Sequence, residues 1–171
     1  MAVVDFEEVV ERFYAPLYRF ALSLARDMHE AGDLTQQTFV IWAEKGHQLR
    51  DPSKVKSWLF STLHREFLGA RRRETRFPER DLDASAEAGE LPVIAPSGEA
   101  SLDGATVLSA LRGIDEVFRA PLALFYLQDH SYKEIAEVLE IPIGTVMSRI
   151  ARGKEALRTR LAPLAEPEAR P

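Results

Sequence analysis

Apolar residues recur at intervals of three and four positions towards both ends of the chain, a spacing that predicts amphipathic helices rather than strands. The first stripe comprises Phe6, Val9, Val10, Phe13, Leu17, Phe20, Ala21 and Leu24. A second helix is predicted over residues 31–42, with Leu34, Val40 and Ile41 as candidates for packing, and a third over residues 53–73. The N-terminal part is therefore predicted to be a small all-α module.

The C-terminal part shows the same periodicity in four segments. Two helices are predicted from the apolar positions Val107, Leu108, Leu111, Val117, Phe118, Leu122, Leu124, Phe125 and Leu127. A third begins at Ser131, whose hydroxyl can cap the free amides while Glu134 completes a capping box. Pro142 fits the first turn of a fourth helix. Pro16 and Pro121 lie inside apolar stripes, where proline predicts a bend or a restart.

The fourth of these helices has two chemically different faces. Its candidates for burial are Val146, Ile150, Gly153, Leu157 and Leu161. The opposite side gathers Thr145, Ser148, Arg149 and Arg152. Hydroxyls and bidentate arginines read base edges in the major groove, and Lys154 would lie nearer the phosphates. A surface helix with solvated arginines is the alternative, but the cap, the turn and the apolar stripe together favour a DNA-reading helix-turn-helix.

Aromatic and basic residues are interleaved over residues 53–73. They are Lys54, Lys56, Trp58, Phe60, His64, Arg65, Phe67, Arg71, Arg72 and Arg73. Aromatic faces stack unpaired bases while basic side chains follow the backbone, so this pattern indicates binding of single-stranded nucleic acid. Trp58 itself is predicted to belong to the core. The three successive arginines cannot share one helix face, so at least one is solvated and the others can bind phosphate.

Charge is distributed unevenly along the 171 residues, whose net charge is −5. Residues 1–73 carry 11 basic and 10 acidic side chains, residues 74–105 carry two and eight, and residues 106–171 carry nine and nine. The middle stretch is also rich in Pro, Ala, Gly and Ser, which predicts a flexible acidic linker. Because duplex affinity depends largely on phosphate neutralisation, two nearly neutral modules should bind DNA weakly without a partner.

Several classes of function are excluded or disfavoured by the composition. The chain has no cysteine, and its four histidines, His29, His47, His64 and His130, lack metal-binding spacing. We therefore expect no metal, no cofactor and no enzymatic activity. No apolar run approaches the ~20 residues that span a bilayer, and the N-terminus does not resemble a signal peptide. These features predict a cytoplasmic protein without membrane insertion.

The helix-turn-helix segment closely resembles the promoter-reading domain of bacterial sigma factors of the extracytoplasmic-function (ECF) group. The matching residues are Ile135-Ala136 and Ile141-Pro142-Ile143-Gly144-Thr145-Val146-x-Ser148-Arg149-x-x-Arg152-Gly153. The resemblance implies binding to the −35 promoter element and to the flap of the second-largest polymerase subunit. It assigns DNA-facing positions to Met147, Ser148, Arg149, Ala151 and Arg152. Glu140 stands where the family usually has a turn glycine.

Residues 31–42 resemble the D-L-x-Q-E-x-F helix of the same family, with matches at Asp33, Leu34, Gln36 and Phe39. Gln37 replaces the usual glutamate. The resemblance implies that this helix binds the clamp coiled coil of the largest polymerase subunit. Phe39 and Trp42 are predicted to be core residues. The predicted polymerase contacts are Asp33, Leu34, Gln36 and Gln37.

Residues 46–73 resemble the part of the family that melts the promoter and reads the −10 element. The loop over residues 46–51 occupies the place of the loop that captures a flipped base, and unstacking is offset there by contacts in a pocket. The predicted contacts of this region are His47, Lys56, Ser61, Arg65, Arg71, Arg72 and Arg73.

The sequence as a whole predicts an all-α ECF-type sigma factor with two small helical domains. Residues 1–73 form the first domain, residues 74–105 the linker, residues 106–162 the second domain and residues 163–171 a disordered tail. The predicted partners are core RNA polymerase, promoter DNA and an anti-sigma factor. The alternative is a conventional helix-turn-helix regulator that binds its operator without polymerase.

Overall fold

The computed structural model of the chain describes residues 4–76 and 104–165. These two ranges contain seven α-helices and no strand, which confirms the predicted all-α class. The helices are α1 (Phe6–Leu24), α2 (Met28–Lys45), α3 (Val55–Arg76), α4 (Gly104–Arg112), α5 (Glu116–Tyr126), α6 (Tyr132–Leu139) and α7 (Ile143–Ala165). Short 3₁₀ turns at Gly46–Gln48 and Pro52–Lys54 connect α2 to α3. Most of the predicted linker, residues 77–103, lies outside the described ranges.

Helices α1, α2 and α3 pack together as the N-terminal half. Aspartates cap the first two: Oδ1 of Asp5 accepts from the Glu7 amide at 3.3 Å, and Oδ1 of Asp27 accepts from the Glu30 amide at 2.8 Å. The large side chains that are almost completely buried in this half are Leu17, Phe20, Leu22, Leu24, Leu59, Phe60, Leu63 and Phe67. Of the predicted α1 stripe, Val9, Leu17, Phe20, Ala21 and Leu24 are buried in this core and Val10 and Phe13 pack against it, whereas Phe6 is 44% exposed.

Helices α4 to α7 form the C-terminal half, and its helix-turn-helix is as predicted. Oγ of Ser131 accepts from the Glu134 amide at 3.2 Å, and the Glu134 carboxylate accepts from the Ser131 amide at 2.8 Å. Glu140 ends α6 in the left-handed conformation, at φ 56° and ψ 43°. This conformation costs a non-glycine residue roughly 1–2 kcal/mol. Packing of the buried Val138 and Val146 on either side of the turn holds this geometry without the glycine.

The two halves contact each other along a surface that we call the joint, where α4, α5 and α6 pack on α1 and α3. At its centre the rings of Phe60 and His130 lie 5.0 Å apart, and both residues are buried. Hydrogen bonds add to it: Nε2 of Gln128 donates to the Pro16 carbonyl at 3.0 Å, and Arg112 donates to backbone carbonyls at the end of α1. The joint therefore combines apolar packing with a polar margin.

Some sequence predictions are wrong in detail. Pro16 and Pro121 lie inside continuous helices, so neither causes a restart. Val40, a predicted packing residue of α2, is 49% exposed, whereas Leu34 is buried. Three residues of the predicted tail extend α7 to Ala165, and residues 166–171 lie outside the described ranges.

Gly153 allows α7 to approach α5 closely, and its replacement tests this packing. A Cβ at Gly153 would lie 2.6 Å from Cδ1 of Leu122, whereas a Cβ at Gly144 on the same helix would meet nothing within 4 Å. We expect Gly153→Ala to destabilise the protein by about 1–3 kcal/mol. Gly144→Ala should be neutral or stabilising by up to about 1 kcal/mol. Denaturant unfolding of both variants measures the change in the free energy of unfolding, which should differ in sign between them. Similar changes for the two would contradict this packing.

Two histidines at the joint lie where their charged form is disfavoured. The pKa of His64 is lowered from 6.5 to about 4, mainly by burial and to a lesser degree by the Arg149 guanidinium. Burial, together with Lys56, also lowers the pKa of His130, against a weaker opposing effect of Glu134. Both imidazoles are therefore neutral in the folded chain at pH 7.

Lowering the pH should therefore weaken the fold. Between pH 6.5 and about 4 the unfolded chain protonates His64 while the folded chain does not, so this contribution to stability declines as the pH falls. At pH 5 the expected loss is on the order of 1–2 kcal/mol. Denaturant unfolding at pH 7 and pH 5 should show that His64→Gln loses less stability between these pH values than the native chain does. His29→Gln, which replaces a side chain that is 88% exposed, is the control, and equal losses in all three proteins would contradict this assignment.

Candidate functional site

The outer face of α7 carries most of the side chains predicted to read duplex DNA. Val146, Ile150 and Gly153 are buried against the rest of the C-terminal half, so the opposite face is turned outwards. Its exposed residues are Met147, Ser148, Ala151, Arg152 and Lys154. Thr145 and Arg149 are half-buried. The capping box of α6 and the left-handed turn at Glu140 fix the angle at which this face is presented.

Two residues of this face also have contacts within the protein. Half-buried Arg149 contributes, after burial, to the lowered pKa of the His64 imidazole on α3, so its charge is felt there. Nζ of Lys154 lies 5.9 Å from the centre of the Phe125 ring, a cation–π distance. Arg152 is the exposed arginine at the centre of the outward face.

A surface pocket of ≈ 420 Å³ lies between the end of α2 and the middle of α3. It is lined by Ile41, Lys45, Gln48, Leu49, Trp58, Thr62, Arg65 and Glu66. The Trp58 ring packs edge-on against Trp42, with 5.2 Å between the ring centres. Gly46 is needed at the turn beside it, since a Cβ there would lie 2.6 Å from the Trp42 ring. The pocket thus has an aromatic wall and a rim of polar and charged groups.

The sequence predicted only part of this pocket. The loop over residues 46–51 and Arg65 were expected to act together, and the pocket brings them together. Lys45, Thr62 and Glu66 were not predicted. Helical spacing could have identified these residues. Residues 41 and 45 share one face of α2, and residues 58, 62, 65 and 66 share one face of α3.

The other residues predicted to contact melted DNA lie in different environments. His47, Arg72 and Arg73 are exposed, and Lys56 is half-buried. Ser61 is only 7% exposed, and its hydroxyl accepts from Nη2 of Arg65 at 3.2 Å. Ser61 therefore supports the Arg65 side chain at the edge of the pocket.

Arg71 contacts acidic residues of both halves of the protein. Its Nη1 lies 3.4 Å from the Glu30 carboxylate and 3.1 Å from the Glu74 carboxylate, and its Nε lies 3.5 Å from Oε1 of Glu116 on α5. The guanidinium also lies over the Phe67 ring, 4.8 Å from its centre. In this arrangement Arg71 links the two halves, whereas its neighbours Arg72 and Arg73 point into solvent.

The predicted polymerase-binding residues divide between surface and core. Asp33, Gln36 and Gln37 are exposed on one face of α2, whereas Leu34 is 6% exposed and packs in the core. The exposed Val40 lies one turn further along the same face, at the i+3 position from Gln37. Sequence reasoning assigned Val40 to the core because apolar residues on an amphipathic helix usually face inwards. The surface is therefore a polar face with one large apolar side chain.

Residues 4–76 and 104–165 contain no group of three His, Cys, Asp or Glu side chains that could hold a metal ion. None of the helices in these ranges is both long and apolar enough to cross a membrane.

Two family profiles match the chain, one in each half. Sigma-70 region 2 matches residues 9–77, and Sigma-70 region 4 matches residues 106–157. The first match covers α1 to α3 and the second covers α4 to most of α7. A conventional regulator with an N-terminal sensing domain would share only the second, so that alternative is not favoured.

Characterised relatives agree with these profiles. ECF RNA polymerase sigma factor SigE of Mycolicibacterium smegmatis is 33% identical over 165 residues, which cover 94% of this chain and 63% of that relative's length. ECF RNA polymerase sigma factor SigL of Mycobacterium tuberculosis is 31% identical over 153 residues, covering 88% of this chain and 85% of SigL.

A similar fold is found in the sigma factor RpoE of Bartonella quintana, solved in complex with the anti-sigma factor NepR. The TM-score is 0.76 at 28% identity, over 92% of this chain and 97% of RpoE. The likeness includes both halves in one superposition. The two profiles, the relatives and this structural likeness lead to one conclusion: the chain belongs to the ECF group of RNA polymerase sigma factors.

Proposed function

We propose that this sigma factor directs core RNA polymerase to its promoters by reading a −35 element with α7 and capturing one strand of a −10 element beside α3. One observation carries the proposal: the same chain presents an outward hydroxyl-and-arginine helix face and, on its other half, a pocket with an aromatic wall and a rim that includes Lys45, Arg65 and Glu66. Neither surface contains the machinery of a chemical reaction, so the role is delivery and strand selection.

At the −35 element the N-terminal turns of α7 enter the major groove. Ser148 and Arg152 offer a hydroxyl and a fork of donors to base edges, and the exposed Met147 offers apolar contact to a thymine methyl. Lys154 lies two residues beyond Arg152, towards the side of this face where the phosphates run. A good bidentate contact discriminates against the wrong base by about 1–3 kcal/mol.

At the −10 element the pocket between α2 and α3 receives a base flipped out of the melted strand. Its volume of ≈ 420 Å³ falls in the range that encloses small ligands, so one nucleotide fits. Trp58 supplies an apolar wall, and Gln48, Arg65 and Glu66 supply hydrogen-bonding groups for the base edge. The exposed His47, Arg72 and Arg73 lie where they can follow the strand's phosphates.

The exposed face of α2 is the proposed polymerase contact. Asp33, Gln36, Gln37 and Val40 occupy positions i, i+3, i+4 and i+7, so they form one continuous strip. The support for a partner here is Val40, because a large aliphatic side chain that is 49% exposed on a polar face gains from burial at an interface. Leu34 acts from beneath this strip by packing in the core.

We further infer that the chain works in the cytoplasm, where the polymerase acts, and that an anti-sigma factor can hold it inactive. Support for the second inference comes from the similar RpoE, whose solved structure contains the anti-sigma factor NepR. That likeness covers 92% of this chain, so the surfaces of the two proteins are comparable over most of their length.

Arg152→Ala tests the −35 assignment. It should reduce transcription in vitro from a promoter identified by expression profiling by roughly 5- to 150-fold, the equivalent of about 1–3 kcal/mol. Binding to core polymerase should stay unchanged because Arg152 lies on the α7 face assigned to DNA and away from the proposed polymerase contact on α2. Arg158→Ala is the control, since this exposed arginine lies further along α7 and pairs with Glu155. Undiminished transcription by Arg152→Ala would refute the assignment.

Val40→Asp tests the polymerase contact. Placing a carboxylate in the centre of an apolar contact should weaken binding to core polymerase roughly tenfold or more, the effect of at least about 1.4 kcal/mol. Stability should change little, because Val40 is exposed. Leu68→Asp on α3 is the matched control, a side chain that is 41% exposed on a different helix. Fluorescence anisotropy with core polymerase measures the affinity, and equal affinities for the two variants would show that this face is not the contact.

A further inference from the structure

Two of the most exposed large hydrophobic side chains in the described ranges lie at the start of α7. Met147 is 51% exposed and Ile143 is 49% exposed. They are four residues apart, so they share one side of the helix, and the exposed Ala151 follows at the next i+4 position. We call these three residues the apolar strip. It begins at the first residue of α7, and the N-terminal residues of a recognition helix are those that contact base edges.

The apolar strip borders the polar side chains of the same helix. Burial of Val146 and Ile150 fixes the rotation of α7 about its axis. At about 100° per residue, Ser148 lies about 100° around the helix from Met147, and Arg152 lies about 40° beyond Ser148. The major groove is about 12 Å wide and admits a whole helix. A helix in that groove therefore brings its polar side chains and its apolar strip to the base edges at the same time.

The charges around the apolar strip favour DNA as its occupant. Residues 141–154 include Arg149, Arg152 and Lys154 and contain no aspartate or glutamate. The positive end of the helix dipole adds to the field of these cations. In the major groove, the apolar group that double-stranded DNA presents is the C5-methyl group of thymine. An apolar strip within a cationic surface therefore matches a methyl group that lies between two polyanionic backbones.

We propose that Ile143 and Met147 read the C5-methyl groups of two nearby thymines in the −35 element, which makes both residues specificity determinants of this chain. The inference deepens the proposed function and rests on it, because it assumes that α7 enters the major groove at this element. Four residues of a helix rise about 6 Å, and successive base pairs lie about 3.4 Å apart. The two side chains therefore reach methyl groups about one or two base-pair steps apart. The apolar strip thereby adds a preference for thymine over cytosine to the hydrogen bonds of Ser148 and Arg152.

Deoxyuridine substitution tests this readout, because it removes the methyl group of thymine and keeps its hydrogen-bonding groups. Each thymine of the −35 element, in either strand, is replaced singly in the promoter used for Arg152→Ala. Competition against a fluorescent promoter duplex then measures the affinity of the holoenzyme. Where a methyl group contacts the apolar strip, the affinity should fall about fourfold, the equivalent of ~0.8 kcal/mol. Thymines between the −35 and −10 elements are the control and should give no change. If no single replacement in the −35 element lowers the affinity, the proposal is overturned.

Protein variants identify the side chain that reads each methyl group. Met147→Ala should lower the affinity for the native promoter and remove most of the deoxyuridine effect at one position, because the two changes delete the same contact. Ile143→Ala should do so at a second position, about one or two steps away. Val117→Ala is the matched control, an aliphatic side chain that is 47% exposed on α5, and it should keep the full effect at both positions. Deoxyuridine effects that persist undiminished in Met147→Ala and Ile143→Ala would also overturn the proposal.

Failure of the underlying function gives a different result. If base-pair changes throughout the −35 element leave the affinity unchanged and Arg152→Ala binds as tightly as the native chain, α7 does not read this element. The proposed −35 readout then fails, and the methyl readout fails with it. If those changes lower the affinity but deoxyuridine does not, the −35 assignment stands and only the methyl readout is refuted. A weaker affinity of Met147→Ala for core polymerase, measured without a promoter, would show that protein covers the apolar strip and would refute the methyl readout as well.

Discussion

Phe60 packs in both halves of the protein at once, and the rest of the arrangement depends on this double burial. Its ring lies 5.5 Å from that of Phe20 in the N-terminal half and 5.0 Å from that of His130 in the C-terminal half. Phe60 is completely buried, and burial of a large aromatic side chain contributes about 1.5–3 kcal/mol. The two halves therefore share a core although they are read as separate modules in the sequence. Because α3 is covered from both sides, only a narrow strip of its surface remains for a ligand.

The exposed basic side chains of α3 lie along that strip. α1 and α2 cover one side of α3, and α6 covers another, so Arg65, Arg72 and Arg73 extend from the remaining surface. Ser61 and Thr62, which lie next to the buried Leu63, have their hydroxyls engaged within the helix or with Arg65. Burial thus fixes which basic side chains stay available, and an otherwise weakly charged module presents them close together. Phosphate neutralisation depends on that local density rather than on net charge.

Helix periodicity was sufficient for the fold class and for most of the core, because an amphipathic helix must bury its apolar stripe wherever it packs. The same reasoning misplaced Val40, because helical spacing alone does not show which apolar positions stay at the surface. Of the bend or restart predicted at Pro16 and Pro121, the restart is wrong, because both prolines lie within continuous helices. Glu140 adopts the conformation of the usual glycine, which the packing of Val138 and Val146 on either side of the turn holds.

The site was less predictable than the fold because it depends on contacts between distant segments. The recognition face of α7 is local, so spacing along one helix located Ser148 and Arg152. The pocket requires α2 and α3 to meet, and helical spacing within either helix does not determine their relative rotation. Arg71 could only be read as one of three equivalent arginines. Its ion pairs with Glu30 and Glu116 arise from two segments more than 40 residues away on either side, and no pattern within α3 encodes them.

The polar contacts of the joint add little to its stability. Its cross-pairs involve half-exposed partners, and such ion pairs contribute roughly 0–1 kcal/mol each. The buried Nε2 of His130 has no hydrogen-bond partner among the described residues, an arrangement that costs about 1–3 kcal/mol. Apolar packing, with Phe60 at its centre, is therefore the main source of attraction between the halves. A partner changes the balance between contact and separation only by the difference in its affinity for the two states.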